Sequence, residues 1–385
     1  MQKVYLDNAA TTFLHPDVIA AMQTVLETVP GNPSSLHQLG VEAEQVVNKA
    51  RAQVAKLLAV RPEELYFTSG GTEANNLAIK GVLHSRSGQI VTTTIEHPSV
   101  REVVRALAAR GRNVVTLPVN RQGEPDLALL DAALKEPTAL ISVMAVNNET
   151  GQMLPVEEIA KIVREKSPKT LIHVDAVQAP AKLLQAPGKL DIDMFSVSAH
   201  KIHGPKGVGA LWVRRRDWLE PLFHGGGQEG SLRSGTENVS GIAGFGAAGK
   251  LAANNARDWV AVVERLRQRF VQGLEKLPCR LLFQGDCVPH IVAVAFPGFQ
   301  AEILLQALSA RGVYVSAGAA CSGKKGNLSH VSQALGLTDT EARGVLRFSF
   351  SAFNTETQID YALTSLENIL DELAFVRGRS TRSGR

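Results

Sequence analysis

Between Leu65 and Val213 the chain changes hydrophobic period again and again. Short β-rich runs stand at Leu65–Thr68, Ile90–Thr93, Val114–Leu117, Ala139–Val146, Leu171–Asp175, Asp193–Val197 and Val208–Val213. Most are separated by segments of helical period such as Val100–Arg110, Asp126–Lys135 and Val156–Lys166. Strand–helix alternation of this kind implies an α/β fold, a mostly parallel sheet covered by helices on both faces. Ligands of such sheets bind beyond the carboxyl ends of the strands. Thr68–Thr72, Asn147–Asn148, Asp175–Gln178 and Ser198–Lys201 all fall at those ends, so the topology alone gathers them.

Three of these stretches suggest one chemistry. In Ser196-Val197-Ser198-Ala199-His200-Lys201, a lysine just past a strand end could be a Schiff-base nucleophile, although a lone lysine there is ordinarily a surface residue. Asp175 ends an apolar strand, where a carboxylate needs a partner, and a protonated pyridine nitrogen is one. Ser69-Gly70-Gly71-Thr72-Glu73 joins a strand to a helix, with free N–H groups and a hydroxyl suited to a phosphate, or merely to N-capping. Lysine, carboxylate and phosphate cradle together are what pyridoxal phosphate asks of a protein.

The rest of the chain frames that reading. An arm, residues 1–14, carries a short strand into Asn8 and small polar residues, and is expected to pack with a small domain. A large cofactor-binding domain, 15–257, opens with helical patterns at Pro16–Thr28 and Leu39–Ala59. Residues 258–376 form a smaller α+β domain. It opens with a helical stripe at Asp258–Leu277 and has strand patterns at Ile291–Phe296, Val313–Ser316 and Gly344–Phe350, with helices at Ala301–Arg311 and Glu356–Phe375. The last segment, 377–385, reads as a disordered basic tail, native or a cloning remnant. Its arginines, Arg377, Arg379, Arg382 and Arg385, account for the whole formal charge of +4, which leaves the body neutral and gives no nucleic-acid footprint. No apolar run is long enough to cross a bilayer, and no signal peptide is visible at the start, so a cytoplasmic protein is expected.

Three side chains stand out individually. His97 follows a strand directly; an isolated histidine is usually a satisfied polar residue, but this one is placed to stack on a planar cofactor and shuttle a proton. Cys321, among glycines, serines and Lys324 and Lys325, has the setting of an exposed mobile loop that favours a thiolate. Cys279 and Cys287 lie in or near apolar stretches and receive no role. Arg347, inside a strand pattern, is either an edge residue or a bidentate clamp for a carboxylate.

Taken together, these stretches resemble the NifS/IscS-type cysteine desulfurases of the class-V aminotransferase family, fold type I pyridoxal-phosphate enzymes. The likeness runs through Tyr5–Thr12, Asn32–Ser35, Phe67–Glu73, Ile95–Pro98, Val146–Glu149, His173–Ala176, Ser198–Lys201, Gly225–Glu229, Arg233–Asn238 and Ala320-Cys321. The resemblance implies a large domain built on a mostly parallel seven-stranded sheet and a smaller C-terminal α+β domain. It implies that Lys201 bonds the cofactor, that His97 stacks over its ring, and that Asp175 and Gln178 meet its nitrogen and phenolic oxygen. Gly71, Thr72, Ser198 and His200 would hold the phosphate, with Thr236 from the other subunit of a homodimer; Asn148 also lines the cofactor site. Asn8, Asn148 and Arg347 would bind L-cysteine, and Cys321 would take its sulfur as a persulfide for a scaffold or tRNA-thiolating acceptor. An aminotransferase or β-lyase would need Lys201 without Cys321; an idle sulfur carrier or scaffold would need none of Lys201, His97, Asp175 and Cys321; selenocysteine would fit the same site.

Overall fold

The structure, a computed structural model, describes residues 3–180, 187–283, 285–318 and 328–382. The chain divides into two compact units, one of 11–147 with 153–257, the other of 1–10, 148–152 and 258–385. Strand β1, Val4–Tyr5, belongs to the second unit.

The first unit holds strands β2 (Leu65–Thr68), β3 (Gln89–Thr93), β4 (Val114–Leu117), β5 (Thr138–Met144), β6 (Leu171–Asp175), β7 (Met194–Ser198) and β8 (Gly209–Val213). They form one seven-stranded sheet in the order β2-β8-β7-β6-β5-β3-β4. From β4 across to β7 every pairing is parallel, whereas β8 runs against both its neighbours. The reversal has a simple cause. Only the residues between Ser198 and Gly209 link β7 to β8, too few for the crossover a parallel return requires. The register then aligns Thr68, Gly209 and Ser198 across β2, β8 and β7. This sets the end of β2 beside the end of β7.

Helices α1 (Pro16–Thr28), α2 (Gln38–Leu58), α3 (Gly71–Ser85), α4 (Pro98–Ala108), α5 (Leu127–Ala133) and α6 (Val156–Lys166) lie in this unit, with the first part of α7 (Val239–Leu274). Leu77, Ile79 and Val82 of α3 and Val100 and Val104 of α4 are buried with Ile90, Leu140, Leu171, Met194 and Leu211 of the sheet in one core. The stripe expected at Asp258–Leu277 starts nineteen residues earlier, at Val239. Gly241, Gly244, Gly246 and Gly249 read as helix breakers in sequence. In the fold they allow close approach: a Cβ at Gly246 would stand 2.6 Å from Ala50 Cα, and one at Gly244 would stand 2.7 Å from Met22 Cγ.

The second unit has strands β9 (Arg280–Leu281), β10 (Ile291–Ala295), β11 (Val313–Tyr314), β12 (Ser316–Ala317) and β13 (Val345–Ser349). Four of them form an antiparallel sheet in the order β12-β13-β10-β9, and β1 pairs in parallel with β11. The single strand expected at Val313–Ser316 is therefore divided between two sheets, with Val315 at the break. Helices α8 (Ala301–Ala310), α9 (His330–Ala334), α10 (Asp339–Ala342) and α11 (Glu356–Arg382) complete the unit. Phe270, Phe296, Phe348 and Phe350 centre its core with Leu304, Ile359 and Leu366, the rings of Phe270 and Phe348 tilted at 46° with centroids 4.7 Å apart. Backbone 377–382 continues α11 where a disordered tail was expected; propagating a helix adds one bond per residue, and no proline interrupts it. Among the described residues no helix is long and apolar enough to cross a membrane.

Candidate active site

The sheet edge where β2, β6 and β7 end is lined by the residues that the sequence singled out. Between β2 and α3 the chain turns through Gly70, whose φ of 154° only glycine tolerates readily. A Cβ at Gly71 would stand 2.6 Å from Val177 Cγ2, and one at Gly209 would stand 2.7 Å from Gly70 Cα and carbonyl carbon. The loop is cinched by Thr68 Oγ1, which donates to Gly70 O at 3.0 Å, and by Ser69 N–H, which donates to Glu73 at 3.0 Å. Burial pushes the Glu73 carboxyl up, but hydrogen bonds from Arg233 and Ser69 outweigh it and hold the group below its ordinary range. Arg233 lies 2.9 Å from Glu73 and so ties the 231–236 loop to the first turn of α3. Thr236, farther along that loop, is exposed.

Asp175, at the end of β6, is buried and accepts from Val177 N–H at 3.1 Å and from Asn75 Nδ2 at 2.8 Å. The same Asn75 nitrogen donates to Ser99 Oγ at 2.8 Å, and that hydroxyl lies 2.7 Å from His97 Nδ1. His97 caps α4, its Nδ1 accepting from Ser99 N–H at 3.2 Å. Burial lowers the pKa of its imidazole; Asp175 opposes the shift, while the charges of Lys201 and Arg101 add to it. Gln178, three residues past Asp175, is buried.

Lys201 closes a 3-10 turn over Ala199–Lys201 directly after β7. Two elements hold this turn. Thr12 donates to His200 O through its N–H at 2.9 Å and its Oγ1 at 3.0 Å, and its Oγ1 accepts from His203 N–H at 2.8 Å. His200 Nδ1 reaches Thr11 Oγ1 at 3.2 Å. On the other side, a Cβ at Gly204 would stand 2.8 Å from Ala199 O, so the backbone doubles back there. Lys201 and Asp175 thus come from different strands yet rest on one scaffold.

Two buried groups near the site were not singled out from the sequence. Glu96 is wholly buried; burial pushes its carboxyl up to about 8, with Oε1 accepting from Thr93 Oγ1 at 2.6 Å and Met144 N–H at 3.1 Å. His173 is also wholly buried and pushed down to about 3, its ring nitrogens each 2.9 Å from Ser142 and Ser196 hydroxyls on the flanking strands. The available signal was a polar residue within each of three apolar strand patterns, at 142, 173 and 196.

The second unit carries the other candidates. Arg347 on β13 is buried; it donates to Asn148 O at 2.7 Å and pairs with Asp7 Oδ1 at 2.7 Å, while its Nε has no hydrogen-bond partner among the described residues. Asn8 is tied by its amide nitrogen to Ser349 O at 2.9 Å and to Tyr5 O and Asn354 Oδ1 at 3.3 Å. Cys321, with Lys324 and Lys325, lies outside the described residues. Burial raises both other thiols, Cys279 to about 11, which disfavours the thiolate a nucleophile needs.

The family model for class-V aminotransferases matches residues 4–362. A cysteine desulfurase of Nostoc sp. is 41% identical over 380 residues, covering 97% of this chain and 94% of its own. A cysteine desulfurase IscS of Dictyoglomus turgidum is 39% identical over 378 residues, covering 97% and 95%. Among solved structures, a NifS-like protein at 40% identity superposes with a TM-score of 0.91 over 96% of this chain and 100% of that one. Another, described as SspA in complex with cysteine, is 32% identical, with a TM-score of 0.81 over 92% of this chain and 100% of that one.

Proposed function

Given that this chain belongs to the class-V aminotransferase family and is a cysteine desulfurase, we propose that it converts L-cysteine to L-alanine by passing the sulfur to Cys321 as a persulfide. The observation that carries this reading is the convergence of Lys201, Asp175, His97 and the Gly70–Thr72 turn on one sheet edge.

The family implies pyridoxal phosphate, and the residues present fit it. A turn closed tightly through Gly70 and Gly71, a helix start with Thr72, and a buried acid at the end of β6 suit its phosphate and ring nitrogen. Gly71, Thr72, Ser198 and His200 would hold the phosphate, with Thr236 supplied by the second subunit of a homodimer. Asp175 and Gln178 would meet the ring's nitrogen and phenolic oxygen, His97 would stack on its face, Asn148 would line the site and Lys201 would bond it. When bound, the cofactor supplies an electron sink at the substrate's α-carbon.

The chain's own residues do the rest. Arg347, with Asn8 and Asn148, holds the amino acid by its carboxylate, which binds best to a buried guanidinium. Lys201 carries the proton at its Nζ. Cys321 Sγ, as thiolate, bonds the substrate sulfur while the substrate's Cβ–S bond breaks; the electron pair stays on carbon, which takes up a proton. Oxidation of one sulfur and reduction of one carbon balance, so no outside oxidant is needed. The persulfide then passes to an iron–sulfur scaffold or a tRNA-thiolating enzyme in the cytoplasm.

Incubation with L-cysteine and a reductant tests the reading, beside a Cys321→Ser variant. Equimolar alanine and sulfide, abolished in the variant, is the expected result. Pyruvate and ammonia, indifferent to the substitution, would move the protein to the lyases. Sizing in solution should find a dimer.

A further inference from the structure

One amide bridges two groups of the site. Asn75, buried in α3, spends one Nδ2 hydrogen on Asp175 Oδ2 and the other on Ser99 Oγ, both at 2.8 Å. Turned over, the amide would set its oxygen against the Asp175 carboxylate, so charge decides its orientation. Its Oδ1 is buried without a hydrogen-bond partner among the described residues, a cost that the donor side must outweigh. Ser99 Oγ accepts one hydrogen from Asn75 and lies 2.7 Å from His97 Nδ1, to which it can give its own. Ser99 N–H, which can only donate, reaches the same nitrogen at 3.2 Å. Two donors converge on Nδ1. It can hold no proton of its own, and the hydrogen of the neutral ring sits on Nε2.

We propose that Asn75 and Ser99 are positioning residues that hold His97 as its Nε2–H tautomer, so that His97 gives a hydrogen bond and Lys201 alone carries the substrate's α-proton. The assignment deepens the function proposed above and rests on it for His97's place at the cofactor. Protonating the ring would turn Nδ1–H against the Ser99 N–H. Burial and the charges of Lys201 and Arg101 also oppose protonation, and only Asp175 favours it. The chain of contacts runs from Asp175 through Asn75 and Ser99 to His97, so the acid that meets the ring nitrogen also sets the tautomer of the residue stacked on the ring.

The test is nitrogen NMR of the full chain labelled with [15N]histidine, with and without pyridoxal phosphate, His97 being assigned from the signals lost in His97→Gln. The two-bond proton–nitrogen pattern should show a bare Nδ1 and a protonated Nε2, unchanged from about pH 6 to about pH 8. In Asn75→Asp the new carboxylate accepts the Ser99 hydrogen and turns the oxygen's lone pair to Nδ1, so the His97 pKa should rise by about one unit or more. Ser99→Ala should raise it in the same direction, and Ser99→Thr, which keeps the hydroxyl, should restore it. A hydrogen on Nδ1, or an imidazolium at neutral pH, in the unaltered protein would overturn the assignment without need of any variant. So would a His97 titration that neither Asn75→Asp nor Ser99→Ala moves. A bare Nδ1 in a protein that makes no alanine would sink the function and leave the tautomer standing; normal alanine with a protonated Nδ1 would do the reverse.

Discussion

Adding one methyl group, in Gly209→Ala, should separate the Gly70–Thr72 turn, the proposed phosphate cradle, from its floor. Gly209 begins β8 and lies in register with Thr68 and Ser198. A Cβ there would stand 2.7 Å from Gly70 Cα, from Gly70 carbonyl carbon and from Val197 O. Non-bonded carbons settle near 3.5 Å, so relief demands a shift of roughly 0.8 Å. All three atoms are backbone, and none can swing aside like the end of a side chain. Val197 O belongs to a central strand, which leaves the Gly70 turn as the part that moves. Overpacking of this kind costs about 1–3 kcal/mol. Displacing binding groups by ~1 Å costs on the order of a hundredfold. Titrating the cofactor-free variant with pyridoxal phosphate, followed by absorbance, should therefore show affinity weakened roughly 10- to 100-fold, with the melting temperature lowered in parallel. Gly285→Ala serves as the control, because a Cβ there meets nothing within 4 Å. Unchanged affinity and an unchanged melt in Gly209→Ala would mean that the turn does not rest on β8 as described, and the cradle argument would fall with it.

Two further outcomes follow from buried charge. Arg51 grips both oxygens of Glu229, at 2.7 and 2.8 Å, and Glu229 also accepts from Phe67 N–H at 2.8 Å, just ahead of the Gly70 turn. Arg51→Met leaves that carboxylate buried and unpaired and should cost roughly 3–5 kcal/mol. Adding Glu229→Leu should recover part of the loss, and urea midpoints that place the single variant level with the unaltered protein would refute the pairing. Glu96 is held protonated because burial raises its carboxyl from the ordinary 4.5 to about 8. The native state binds the proton more tightly, so this contribution is complete below the ordinary value and is lost as pH rises through about 8. Melting temperatures compared at about pH 6 and about pH 9 should fall less in Glu96→Gln than in the unaltered protein; equal falls would show that Glu96 is ionised throughout.

How far the molecule could be read from its chain depended on whether the relevant period was local. β2, β4 and β6 coincide with the runs Leu65–Thr68, Val114–Leu117 and Leu171–Asp175, each a short β-rich segment bounded by a change of hydrophobic period. Asp175 and Lys201 were legible because the one ends such a run and the other follows one by four residues. The start of α7 was not, because glycine has two meanings in sequence, poor helix former and close contact, and only Ala50 and Met22 on neighbouring helices decide between them. The split of Val313–Ser316 depended likewise on partners, β1 on one side of Val315 and β13 on the other, that lie far away in the chain. Asn75 is the extreme case. It is bonded to residues 24 and 100 positions away, and its neighbour Asn76 is an equally plausible asparagine that turns instead to Thr72 O on the exposed side. Nothing local distinguishes the two. Successive helix positions are turned about 100° apart, so the register of α3 on the sheet decides which amide meets Asp175. That register is set by Leu77, Ile79 and Val82 seeking the core, and the polar relay at His97 is therefore a consequence of apolar packing one turn away.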